Sequence, residues 1–252
     1  MKTKKHSAGY YIGFLIFIIV ALINIYPMVF SIFCSFKGNL EIFSSFTALP
    51  KKLRIENYLT AWNVGNIGRY FLNTIILAVG TLAISGLFGA MASYVLAKFK
   101  FRGKSKIYLL FISGMMIPIQ AVLIPLSYIF GKLGIMNNYP VLILLYAAFC
   151  FPMTILILTG FMNGIPTELE EAMVIDGANI YQVFFKMILP LSVPGIVSVS
   201  IFNFIQVWNN LLFPLIFISD RRLRNATSRI NTAFFVTYKQ ITPHRIWYNR
   251  VD

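Results

Sequence analysis

Five stretches of the chain run without a single lysine, arginine, aspartate or glutamate: residues 6–36, 70–97, 107–131, 133–167 and 187–219. A bilayer core is crossed by about 20 apolar residues in helical form, so each stretch is long enough to span. Lipid offers no partner to an open backbone amide, and such segments must therefore be helical. The pattern predicts an all-α, polytopic membrane helical bundle with five visible spans.

Within these spans the few polar positions are not scattered. The second carries Thr81, Ser85, Gly89, Ser93 and Ala97 at successive i+4 positions, a stripe of small residues along which another helix can come close. The third holds Pro118, Gln120 and Pro125. Proline frees backbone carbonyls, which lipid tolerates only where protein or water satisfies them, so Gln120 is a candidate to line a polar pathway through the membrane. The fifth places Asn203, Gln206 and Asn210 at i, i+3 and i+7, and Asn73 stands at one end of the second. Uncharged amides both donate and accept, which suits a neutral hydroxylated ligand or, equally, a bond between helices. Both readings stay open for all five residues.

Between the fourth and fifth spans acidic side chains gather. Thr167 and Glu170 have the spacing of a capping box and predict a helix start. Asp176-Gly177 predicts its end, because glycine accepts the left-handed conformation at a helix C-terminus. Asn179 then predicts the cap of a second short helix that Pro190 ends or kinks. Leu169, Ala172 and Met173, at i, i+3 and i+4, give the first helix a narrow apolar face fit for docking.

This loop closely resembles the EAA loop of ABC-importer permeases. The match is carried by Glu171, Ala172, Met173, Gly177, Met187, Ile188, Leu189 and Pro190, with Met173 and Met187 replacing an alanine and an isoleucine of the family pattern. Asp176, Ala178 and the run from Leu189 to Gly195 extend it. From Tyr10 to about Arg224 the chain is similar to the maltose-type permeases. The resemblance implies a MetI-like permease fold, with residues 1–224 as the permease domain and 164–190 as its coupling loop. It further implies that Glu171, Ala172, Met173, Asp176, Gly177, Ala178, Leu189 and Pro190 contact a cytoplasmic ATPase dimer. The other implied partners are a second permease subunit, an extracytoplasmic solute-binding protein and membrane lipid, and the implied cargo is a sugar or oligosaccharide. ATP and Mg would sit on the ATPase, leaving this chain without a cofactor or catalytic residue.

Composition agrees with a membrane protein: 58% of residues are hydrophobic and 12% charged, against about half and about a quarter in soluble domains. The net charge of +14 reflects basic loops at a membrane surface, with no aromatic-interleaved stripe for nucleic acid. Lys98, Lys100, Arg102, Lys104 and Lys106 crowd one loop, which places it, the N-terminus and the Glu171 loop on the cytoplasmic side of a bacterial plasma membrane. Residues 37–69 are then outside, with a short ordered element expected around Asn57-Tyr58. Lys2, Lys4 and Lys5 precede an apolar run too long for a cleaved signal, so that run is read as a retained span.

Residues 220–252 carry seven basic side chains and no further spanning run. The maltose-type permeases have one more helix here, so the segment 225–252 reads as an atypical tail from a truncated or frame-shifted C-terminus. Gly103-Lys104-Ser105 ends like a phosphate-binding P-loop, but Lys98 stands where its first glycine belongs. An ion-coupled carrier needs ionisable groups within its spans, and an embedded enzyme needs a nucleophile with its base; the spans offer neither. A non-catalytic scaffold is the remaining alternative.

Overall fold

The computed structural model describes residues 8–44, 48–64 and 66–219. The C-terminal tail, with the expectation placed on it, lies outside the described residues. The chain divides after Ile67 into two compact units.

In the first unit α1 (Ala8–Ser35) is a continuous apolar helix with almost every side chain exposed, as a lipid-facing span requires. It continues through Pro27; one turn on, the Ser31 hydroxyl donates to the Pro27 carbonyl at 2.8 Å. The short helices α2 (Asn39–Ser44) and α3 (Glu56–Asn63) follow. Asn57 ties α3 back to the end of α1, its amide donating to the carbonyls of Ser35 and Lys37 at 2.8 and 2.9 Å. The Tyr58 and Ser35 hydroxyls lie 2.6 Å apart. The ordered element expected around Asn57-Tyr58 is this helix.

The second unit holds α4 (Ile67–Lys98) from Gly68 onward, followed by α5 (Lys104–Ser113), a 3-10 turn (Gly114–Met116) and α6 (Ile119–Lys132). Next come α7 (Tyr139–Asn163), α8 (Thr167–Ile175) and α9 (Ile180–Val183). A π-helical turn (Phe184–Ile188) leads into α10 (Leu189–Leu191), α11 (Val193–Asn209) and α12 (Leu212–Phe217). Three of the five apolar runs form continuous helices long enough to cross a membrane. The other two are bent pairs, by 93° between α5 with its 3-10 turn and α6, and by 70° between Ile180–Leu191 and α11. The third run is interrupted at Pro118, one of the prolines singled out in its sequence.

Each bend falls where backbone hydrogen bonding is interrupted. Pro118 has no N–H and directs the chain into extended geometry before α6. Pro190 removes the amide that would reach the Lys186 carbonyl, and the helix widens to π geometry over the five residues before Leu189. The chain passes through Pro190 and turns at Ser192, just before Pro194, which has no amide to reach the Pro190 carbonyl, so the expected stop is displaced by two residues.

The small stripe of α4 packs against α7. Gly89 lies so close to the Thr154 side chain that a β-carbon would overlap its γ-methyl, and Gly80 faces Ile143 in the same way. Thr81, Ser85 and Ser93 are fully buried along the same line. Two apolar clusters flank this crossing. One joins Leu77 and Ala78 of α4 to Leu142, Tyr146 and Phe213. The other joins Ala90 and Tyr94 to Leu158, Met162, Phe184 and Ile188, against which Met173 and Ala178 pack.

Asn203 of α11, 2% exposed, donates its amide to the Thr154 hydroxyl at 2.9 Å, and that hydroxyl donates to the Cys150 carbonyl. Interhelical bonds of this kind average about 0.6 kcal/mol in membranes, because the separated helices also find partners. Asn203→Leu, which keeps the branching of the side chain, should therefore lower the thermal unfolding temperature by only a few degrees. A collapse of folded yield would show that the bond matters far more than this.

Candidate coupling site

The acidic loop folds as a helix, a glycine corner and a second helix. Pro166, in extended conformation, precedes α8, and Glu168 and Glu170 sit in its first turn, where the helix dipole favours negative charge. The expected capping box between Thr167 and Glu170 is absent. Glu170 instead turns toward the end of α4, where Lys98 Nζ stands 3.1 Å from its Oε1 and the Tyr94 hydroxyl donates to its Oε2 at 3.3 Å. Lys98 Nζ also donates to the carbonyl of Ile165 at 2.5 Å. The Lys98 and Glu170 side chains are only 7% and 14% exposed. A paired, hydrogen-bonded charge inside a protein outcompetes a local cap, because an unpaired one would be costly.

At the other end of α8 the corner is a complete Schellman motif. The Gly177 amide donates to Val174 O at 3.0 Å and the Ala178 amide to Met173 O at 2.9 Å. Gly177 has φ +84°, the left-handed geometry expected of it. Asn179 caps α9 as expected, and Gln182 answers it: the Asn179 side chain accepts from Gln182 N at 3.0 Å, and the Gln182 side chain accepts from Asn179 N at 2.8 Å.

Of the docking face predicted from Leu169, Ala172 and Met173, Leu169 and Ala172 are exposed and only Met173 needs correction. Met173 turns inward with Glu170, because both lie on the side of α8 that packs on the bundle. The outward side is built from Glu168, Glu171, Ala172 and Ile175, with Ile175 85% exposed. Asp176 and Gly177 are exposed beside it, Ala178 is half-buried, and Leu189 and Pro190 lie beyond the π turn. Lys98, Tyr94 and Ile175 are the residues that sequence reasoning missed. Ile175 could have been found as the apolar residue three positions beyond Ala172; nothing in the sequence points from Lys98 to Glu170.

The five amides proposed for the transport path sit in different surroundings. Asn203 is buried between helices, and Asn210 accepts from Phe213 N at 3.0 Å, capping the turn into α12. Asn73 is buried on α4 and Gln120 is exposed on α6. Gln206 is exposed and lines a cavity of about 280 Å³ with Met115, Phe149, Met153 and Phe202, at the bend between α5 and α6. The i, i+3, i+7 face is split because the buried edge of α11 runs through Gly195, Val199, Asn203 and Val207, with Gln206 on its flank.

Residues 85–243 match the family described as binding-protein-dependent transport system inner membrane component. The chain is 41% identical over 204 residues to the diacetylchitobiose uptake system permease protein NgcG of Streptomyces coelicolor, covering 81% of this chain and 68% of that one. It is 34% identical over 216 residues to the probable starch degradation products transport system permease protein AmyC of Thermoanaerobacterium thermosulfurigenes, covering 86% and 78%. In fold it is similar to a chain of a bacterial ABC transporter involved in the import of the acidic polysaccharide alginate, with a TM-score of 0.79 at 19% identity over 95% of this chain and 89% of that one. With an all-helical fold, bent apolar spans and a Schellman-cornered acidic loop, the chain belongs to the binding-protein-dependent transport system inner membrane components, the permease subunits of ABC importers.

Proposed function

We propose that this bacterial inner-membrane permease carries a neutral sugar or oligosaccharide along a path formed with a second permease subunit. Its α8–α9 loop would receive the stroke of the cytoplasmic ATPase. ATP and Mg stay on that ATPase, and a solute-binding protein delivers the cargo. Permeases named for diacetylchitobiose and for starch degradation products are among its relatives, and the polar group at the α5–α6 cavity is an uncharged amide, Gln206.

The orientation rests on the basic loop from Lys98 to Lys106, which belongs inside with α8 and the N-terminus. The observation that carries the mechanism is that Lys98 holds both Ile165 and Glu170. A push on the outward face of α8 reaches the end of α4 through that pair. It reaches α7 and α11 through Met173 and Ala178, which pack on the adjoining cluster. The bundle responds as a hinged rigid body.

Uptake of labelled oligosaccharide by vesicles holding the full complex tests this reading: it should require both ATP inside and the solute-binding protein outside. Uptake by this subunit alone under an ion gradient would overturn it. Gly177→Val is a local test. No atom lies within 4 Å of a β-carbon there, so its cost is backbone strain of about 1–3 kcal/mol at a positive φ. Capture of the ATPase should weaken while membrane insertion stays normal, and Gly177→Asn should lie between the two, since asparagine tolerates this conformation.

A further inference from the structure

A second recess lies between the end of α4, the first turn of α5 and the last turn of α7. Its volume is about 700 Å³, and Lys104, Lys106, Ser105, Tyr108, Thr159 and Asn163 are among its lining residues. Leu96 and Phe101 supply apolar wall, and among the described residues no aspartate or glutamate lines it.

Three features make this recess short of negative charge. Lys104 and Lys106 stand in the first turn of α5, the end where the helix dipole already disfavours cations, and no acidic residue offsets them there. Lys104 is held at the recess by a bond from its Nζ to Ala97 O at 3.1 Å, which leaves further donors on the same ammonium. Thr159, only 6% exposed, lines the recess, and its hydroxyl, itself buried at the wall, has no hydrogen-bond partner among the described residues. Open backbone donors of a helix's first turn add to the pull on an anion.

We infer that this recess binds the phosphoryl headgroup of an anionic phospholipid. Lys104, Lys106 and the α5 N-terminus hold the phosphate, Thr159 and Asn163 are the neutral polar groups beside it, and Leu96 and Phe101 meet the glycerol and first acyl carbons. Basic pockets between spanning helices on the cytoplasmic side are suited to such headgroups. In the orientation proposed above the recess opens at that leaflet. The inference depends on that orientation but not on the identity of the cargo.

The purified full complex, stripped of lipid in detergent, should be titrated with phosphatidylglycerol and with phosphatidylcholine and read by native mass spectrometry. Phosphatidylglycerol should be retained and phosphatidylcholine not. The double variant Lys104→Gln, Lys106→Gln should bind phosphatidylglycerol about 30-fold more weakly, the factor for removing two cations from an anionic headgroup. Lys51→Gln, Lys52→Gln removes the same charge from exposed positions in the other unit and should leave binding unchanged. Equal loss in both double variants, or no retention by the assembled complex, would overturn the site. Inorganic phosphate should bind far more weakly than phosphatidylglycerol; equal affinity would overturn the lipid as its source.

Discussion

Glu170→Ala should cut ATP-driven uptake by at least tenfold and lower the amount of folded protein in the membrane. The carboxylate pairs with Lys98, and both side chains are largely shielded from solvent. Removing one partner of a buried pair leaves the other charge uncompensated, at a cost of about 3–5 kcal/mol. Abundance and transport then separate in the double variant Lys98→Met, Glu170→Leu. Two apolar side chains of similar bulk are often neutral or better for stability, so immunoblotted protein should return to about its original level. Uptake should stay low, because neither methionine nor leucine can hold the Ile165 carbonyl and α8 together as the lysine does. Full recovery of uptake in the double variant would reduce the pair to packing and remove it from the coupling route.

The second large effect is expected at Gly89. A β-carbon there overlaps Thr154, which cannot easily turn aside: its hydroxyl donates to Cys150 O and accepts the Asn203 amide. Overpacking a close helix crossing costs about 1–3 kcal/mol, and more where the backbone itself must part. Gly89→Leu should spread α4 from α7 and reduce folded yield severalfold, measured by size-exclusion chromatography in detergent. Gly86, one turn away, has nothing within 4 Å of its would-be β-carbon, so Gly86→Leu should leave the yield unchanged. Equal losses at the two positions would show that helix propensity or insertion, rather than the crossing, sets the penalty.

What could be read from the residues alone follows from how local each determinant is. Gly177 and Asn179 announce the corner because left-handed backbone and helix capping are decided within a few residues. The five charge-free runs announce helices because lipid leaves the backbone no other choice. The 93° and 70° bends are a different matter: proline marks where a helix can break, but the angle is set by what the two halves pack on. Glu170 shows the same limit. Its spacing from Thr167 is that of a cap, and only the folded chain brings Lys98 close enough to claim it. Asn203 and Gln206 are three residues apart and look alike in sequence, yet the packing of α11 buries one and exposes the other. The match to the permease family was legible in the loop, while the path of the cargo was not.

The line of glycine, serine and threonine along α4 has a mechanical consequence. Large branched side chains that interlock across a crossing must disengage before one rod can roll over its neighbour. The α4 side of this crossing offers only hydrogens, hydroxyls and single methyls, so what interlocks there are two α7 side chains, Ile143 and Thr154, seated at Gly80 and Gly89. With the last residue of α4, Lys98, tied to the acidic loop, those two seats nine residues apart fix where α4 rests on α7, and a tilt passed up from that loop would turn about the nearer one, at Gly89.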